Sequence, residues 1–288
     1  MTSRASIVEV NNNPGSYFVD DPGDKVYVSC PDGELDYFTN DGGLVGYHGG
    51  VYSAAIRYGC ILQVENCEMW GGCQILYGAK LFLHNVVQRF SESIGVFANV
   101  GGQIYGENVG VEYAATDGIS SHARGIIKLK DVIVGHCGVA SDNQAITCHE
   151  DGSIILENII AHHASGDICA TVEMSRLFLS DFDFDSPGGN RHCLETEGEI
   201  QGIVKNGILR NAGGNGLYVG PNLQGWGYDR RFLLKNVRFE GNTGYDVSVA
   251  DDIESDVTLQ DCDFTKVDPS AKNFTELRKK TPPLAVSG

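Results

Sequence analysis

From about residue 60 one phrase of apolar and polar positions recurs along the chain. Apolar residues alternate, a polar residue and then Asn or Asp follow, and the alternation resumes. The phrase reads Leu62-Gln-Val-Glu-Asn66, Leu81-Phe-Leu-His-Asn85, Ile104-Tyr-Gly-Glu-Asn108, Ile127-Lys-Leu-Lys-Asp131 and Ile154-Ile-Leu-Glu-Asn158. It continues as Leu177-Phe-Leu-Ser-Asp181, Ile203-Val-Lys-Asn206, Phe232-Leu-Leu-Lys-Asn236 and Val257-Thr-Leu-Gln-Asp261. The steps between successive Asn/Asp marks are 19, 23, 23, 27, 23, 25, 30 and 25 residues, a mean near 24. Alternation with period two predicts strands with one buried face. Asn and Asp tolerate the left-handed backbone region better than other side chains, so each mark predicts a sharp turn. One such coil cannot bury its own apolar face, but stacked coils can. The expectation is an all-β, single-domain, right-handed parallel β-helix of about nine to ten coils with an Asn/Asp turn ladder.

Each coil divides into three strands. The strand before the mark is the second and the strand after it the third. A first strand then opens the next coil, as in Gly95–Asn99, Gly118–His122, Ala145–His149, Asp167–Thr171 and Gly216–Gly220. Its inward pairs are expected at Val96/Ala98, Ile119/Ser121, Ile146/Cys148, Ile168/Ala170 and Leu217/Val219. Residues 1–50 do not repeat and are expected to cap the solenoid and lead into it. The β-helix proper is placed at 51–267 and a tail or cap at 268–288. The longest coil carries an insertion, Pro221–Arg231, whose Trp226 and Tyr228 are candidates for stacking on a sugar ring.

Composition narrows the partners. The net charge of −17 argues against nucleic acid and against an anionic membrane, since both need a basic surface. A polyanionic glycan would need a bridging cation, for which Ca²⁺ is the natural ion; no other cofactor is implied and no metal ligand set is assigned. The nine cysteines have no framework or zinc spacing, and read as small buried hydrophobes in a reducing compartment. The start of the chain lacks the apolar core of a signal peptide. Localisation is therefore left at cytoplasmic synthesis, with a virion or a released protein as destinations.

Candidate chemistry follows from the register. His122 and His149 lie outward on successive first strands, with Asn99 and Thr171 extending their column. A second outward column holds Arg89, Glu112, His162, Asp185, Arg210 and Glu240, with His136 and His163 beside it. Two imidazoles on adjacent rungs repel when both are charged, so one should have a lowered pKa suited to proton transfer. Asp117, Asp142 and Asp167 stand at strand entries. There Asp serves either as a turn residue or as a carboxylate for acid–base work. Arg124 and Arg191 are candidate substrate clamps, with Glu173 and Glu195 as further binding residues.

The repeat resembles the pectin-lyase-like β-helix superfamily over roughly 51–267. Within it, Thr116-Asp117-Gly118-Ile119 resembles the segment holding the first catalytic carboxylate of polygalacturonases. Asp142-Asn143-Gln-Ala-Ile146 stands where they carry an aspartate pair, His163 near their catalytic-strand histidine, and Glu195-Thr196 at their Arg-Ile-Lys-Thr segment. Asn143 replaces one aspartate, and the substrate-binding Arg and Lys have no counterpart. The resemblance implies a lyase, hydrolase or epimerase acting on a polysaccharide or oligosaccharide from the first-strand face. Its catalytic residues would be Asp117, His122, Asp142, His149 and His163. The chain also resembles phage tailspike modules, which implies a polysaccharide-binding fibre and a homotrimer. Phe82, Phe178, Phe182 and Phe184 are then candidates for an outward apolar stripe.

Overall fold

A computed structural model describes residues 2–3, 16–20, 25–29, 39–40, 44–45, 54–139, 143–221, 230–250, 255–271 and 274–277. Asp142, Trp226, Tyr228 and most of the lead-in and tail lie outside the described residues. The described residues contain no helix; the strands form one sheet of 13 strands and one of 11. The repeating unit is one long strand and one short strand. The long strands are Ile61–Trp70, Lys80–Arg89, Gln103–Glu112, Ile126–Gly135, Ser153–His162, Ser175–Asp185, Ile200–Arg210, Arg230–Glu240 and Ser255–Gln260. The short ones are Ala54–Ile56, Cys73–Ile75, Val96–Ala98, Ile119–Ser121, Ile146–Cys148, Cys169–Thr171, Leu194–Thr196, Leu217–Val219 and Val247–Val249. Each set stacks in parallel in chain order. Eight turns separate the first of these nine short strands from the last, slightly fewer than the pattern suggests. The chain is a parallel β-solenoid.

The expected second and third strands are halves of one long strand. The Asn/Asp mark sits between them without ending the ladder. All nine marks are left-handed, with φ between 52° and 58°. Along Ile61–Trp70 the inward residues are Leu62 and Val64, then Cys67 and Met69, with Glu65 and Asn66 both outward between them. One left-handed residue therefore shifts the alternation by one place and bends the strand around the core.

The marks also form the expected ladder, with a rule in it. Asn85 donates to Asn66 at 2.8 Å and Asn108 to Asn85 at 2.9 Å. Asn158 donates to Asp131 at 2.6 Å, Asn206 to Asp181 at 3.3 Å and Asn236 to Asn206 at 3.1 Å. The donor is always an Asn passing its amide hydrogen back to the preceding rung. Asp131 and Asp181 only accept, because a carboxylate has no hydrogen to give.

Two readings of the pattern are corrected. Ile146 and Cys148 pair with Cys169 and Thr171, so the inward pair of that coil is Cys169/Thr171, not Ile168/Ala170. Thr171 thus leaves the histidine column, and Val172 takes its place through its N–H to Cys148 O. Ile168, Cys169, Ala170 and Thr171 are all buried, so alternation could not choose between them. Phe182 and Phe184 are also inside, at 4% and 0% exposure, because the left-handed Asp181 turns Phe182 into the core. Only Phe82 and Phe178 of the expected stripe reach solvent.

A second left-handed column ends the long strands at Phe90, Tyr113, His136, His163, Ser186 and Asn211, with φ of 54° to 58°. The alternation gave no sign of it. Non-glycine residues there cost about 1 kcal/mol or more each. Rings stacked from rung to rung offset part of that: Phe90 on Tyr113 at 5.2 Å, Tyr113 on His136 at 5.0 Å and His136 on His163 at 5.2 Å. Inside, the eight described cysteines are all free thiols and mostly buried, as expected. Burial pushes Cys73, Cys137 and Cys148 up to about 12, far from reactivity.

The ladder rule makes a prediction. Asp131→Asn supplies the missing donor toward Asn108 and keeps the acceptor for Asn158. It should stabilise the fold by about 0.5–1 kcal/mol. Asn108→Val loses the ladder bond and places a β-branched residue in the left-handed region, and should destabilise by about 2 kcal/mol or more. Urea unfolding midpoints of the two variants should move in opposite directions.

Candidate active site on the short-strand face

The short strands and the turns around them carry most of the residues singled out above. Backbone hydrogen bonds align three columns there. The first, at the strand entries, runs Asp117, Gln144, Asp167, His192, Asn215 and Tyr245. The second, at the strand centres, runs Phe97, Ser120, Thr147, Ala170, Glu195 and Tyr218. The third, just past the strands, runs Asn99, His122, His149, Val172 and Glu197.

The entry column has a structural task. Asp117 Oδ1 accepts the N–H of Gln144 at 3.2 Å, and Asp167 Oδ1 that of His192 at 2.5 Å. His192 Nδ1 accepts the N–H of Asn215 at 2.9 Å, and Asn215 Oδ1 that of Tyr245 at 2.8 Å. Each of these side chains tethers the next coil. That is the turn role open to Asp at strand entries, and it fixes His192 as the neutral tautomer with hydrogen on Nε2.

Two carboxyls do more than tether. Asp117 is 8% exposed, and burial raises it from 3.8 to about 6, against the lowering effect of the Gln144 N–H. Asp167 is 1% exposed. Half-buried Glu195, on the next rung, is held well above the carboxylate range by burial first, then by its hydrogen bond to Asp167 and the charges of Asp167 and Glu197. Glu195 therefore keeps its proton at neutral pH. Asp167 Oδ2 is buried with no donor assigned to it, which leaves it open to a proton carried by Glu195. Arg191, half-buried at the strand entry, opposes the rise at Glu195; burial lowers the His192 pKa, Asp167 opposes that, and Arg191 adds to it. His192 stacks on Tyr218 at 4.6 Å.

Further down the axis the two expected histidines do stack, with ring centroids 4.4 Å apart. Phe97 packs edge-on against His122 at 5.1 Å. Burial, then the charge of His122, lowers His149 from 6.5 to about 4. Burial also lowers His122, and Glu150 opposes it. Thr147 Oγ1 lies 2.6 Å from His149 Nε2, and His122 Nε2 is buried with no protein partner. The track therefore offers neutral imidazoles, aromatic faces and one protonated carboxyl.

Arg124 is exposed at a left-handed turn two residues past His122, and Glu173 occupies the matching kind of turn after Val172. His163 is not on this face. It sits at the far end of a long strand, where its ring meets those of His136 and His162 at 5.2 Å and 5.1 Å. Asp142 lies outside the described residues. Asp167 and His192, central to the geometry, were legible only as a strand-entry Asp and as a lone His. A shallow depression of about 730 Å³ runs elsewhere, along the Asn ladder, lined by Asp181, Asp183, Asp261 and Asp263 with Arg238. Its acids would repel a polyanion. No protein-family profile matches the chain, and no curated protein does either.

The histidine pair sets a pH dependence. Between pH 6.5 and about 4 an unfolded chain protonates this imidazole while the folded one keeps His149 neutral, so acidification withdraws stability. Asp117 acts with the opposite sign: between 3.8 and about 6 the folded state holds the proton, and rising pH withdraws stability. His149→Phe keeps a ring in the stack and leaves Asp117 unchanged. Its stability relative to wild type should rise by up to about 3 kcal/mol between pH 7 and pH 4 in urea titrations. An unchanged difference at the two pH values would reject the lowered pKa.

Proposed function

We propose that this β-solenoid is a carbohydrate-active protein that cleaves a glycan chain laid along its short-strand face. The observation that carries the reading is the Asp167–Glu195 pair, a carboxyl kept protonated near neutral pH beside aromatic rings. A protonated carboxyl is what a glycosidic oxygen needs as general acid. A second carboxyl on the face that burial raises is Asp117, two rungs from Asp167, about 10 Å along the axis at a strand spacing of roughly 4.8 Å. That is close to the upper separation for an inverting pair with water between, about 9.5 Å. Asp117 becomes a competent base above its raised pKa. Gln144 lies between Asp117 and Asp167 in the entry column, neutral His122 and His149 line the column past the strands, and Phe97 and Tyr218 are stacking faces.

Charge selects among the glycan chemistries. A lyase must neutralise a uronate carboxylate, and Arg124 and Arg191 are the cations assigned to this face, on a chain of net charge −17. Hydrolysis of a neutral or amino-bearing glycan meets no such repulsion. This reading agrees with the pectin-lyase-like resemblance of the coils and departs from a galacturonate substrate. The fold is equally compatible with a tailspike-like binding module, and the exposed rings of Trp70, Phe90 and Tyr113 favour that as the second reading.

A panel of neutral, cationic and anionic polysaccharides tests both. Reducing ends should appear on a neutral or cationic polymer, without the absorbance of an unsaturated uronate. Glu195→Gln and Asp167→Asn should each lower turnover about 100-fold or more, with far-UV circular dichroism unchanged. Full turnover in Glu195→Gln would reject the assignment. Saturable binding with no product on any polymer would move the protein to the binding module.

A further inference from the structure

His136, His162 and His163 meet at the far end of two adjacent long strands, on a different corner from the carboxyl pair. One ring nitrogen from each lies within 4.8 Å of the others. His162 Nδ1 and His163 Nδ1 are 3.0 Å apart. Among the described residues this is the one place where three such side chains converge.

The backbone accommodates the cluster at two points. A methyl group at Gly135 would collide with Cε1 of His162, so the His162 ring rests where a side chain would otherwise stand. Gly135 pairs with Glu112 below and His162 above, in a column otherwise made of long side chains. His136 and His163 both adopt the left-handed conformation, with φ of 55° and 54°, which stacks their rings on successive rungs and turns both toward His162.

The neighbouring acids are occupied. Glu112 is bound by Arg89 at 2.9 Å, and Asp185 by Arg210 at 3.1 Å and by Asn211 at 2.7 Å. Their charges still favour a cation nearby. The donor set is therefore three imidazoles, with no thiolate and no uncommitted carboxylate. Such a set suits a borderline divalent transition metal rather than Ca²⁺, which takes six to eight oxygens. Nitrogens around a tetrahedral zinc stand about 3.4 Å apart, given bonds of about 2.05 Å. The His162–His163 pair at 3.0 Å is within about 0.4 Å of that spacing, and the third nitrogen lies within 4.8 Å of both.

We infer that His136, His162 and His163 form a binding site for a divalent transition-metal ion, Zn²⁺ foremost, that joins two coils of the solenoid. Three protein ligands leave one tetrahedral position for water or an oxygen ligand, the arrangement of zinc sites with an open face. The site is independent of the Asp167–Glu195 pair and stands or falls separately from it.

The competing explanation is a purely structural ring stack, and substitution by Phe separates the two. Tag-free protein stripped with chelator is titrated with Zn²⁺ by calorimetry, and with Co²⁺ by visible absorption. One equivalent should bind, with d–d bands typical of tetrahedral Co²⁺, and Zn²⁺ should raise the thermal midpoint. His136→Phe and His163→Phe keep the stack but remove a ligand; each should weaken Zn²⁺ binding about 100-fold or more and leave the metal-free midpoint near wild type. His162→Gln, which also removes a ligand, should bind as weakly. Absence of saturable binding to wild type, or undiminished binding in all three variants, would overturn the site.

Discussion

The left-handed residue in the middle of each long strand is the constraint on which this molecule depends. A coil of two dozen residues has to turn back on itself while keeping its apolar residues inside. A plain strand would alternate without pause and run straight. One residue with positive φ places two outward side chains in succession, shifts the alternation and bends the strand. Asn and Asp do this at lowest cost among residues with side chains, and nine of them do so here. The same residues then bond along the axis, wherever the upper member has a hydrogen to give.

Everything else inherits that geometry. Fixed turns make the coils superimposable, and superimposed coils convert sequence spacing into spatial columns. A column concentrates one kind of side chain. The entry column collects acceptors that tether the next coil's N–H, and one of them, Asp117, is buried enough for its pKa to rise. Tethering and acid–base chemistry are compatible in one residue, because each uses a different carboxylate oxygen. At Asp167 one oxygen holds the His192 N–H and leaves the other for Glu195.

The two histidine groups show how the same residue type takes different roles by position. His122 and His149 are stacked and enclosed, and burial strips them of charge. His136, His162 and His163 converge at an edge, where nitrogens rather than ring faces meet. The difference comes from the turn: His136 and His163 occupy left-handed positions, whereas His122 and His149 follow straight strand residues.

The solenoid, its period, the nine turn marks, the buried cysteines and the His122–His149 stack were all legible in the sequence, because each depends on spacing along the chain and a fixed rung-to-rung register. Other features were not. Whether Cys169 or Ile168 points inward was invisible, since both alternations of that strand are apolar. Phe182 and Phe184 looked outward until the bend at Asp181 placed them inside. The Asp167–Glu195 pair lies 28 residues apart and on different columns, and it meets only because one coil's entry lies beside the next coil's strand centre. The sequence determined the repeat and hence the fold, because a repeat is a local and periodic property. Only the tertiary structure decided which acids lie together and which imidazoles share a corner, because those meetings depend on the direction in which each turn aims its side chain.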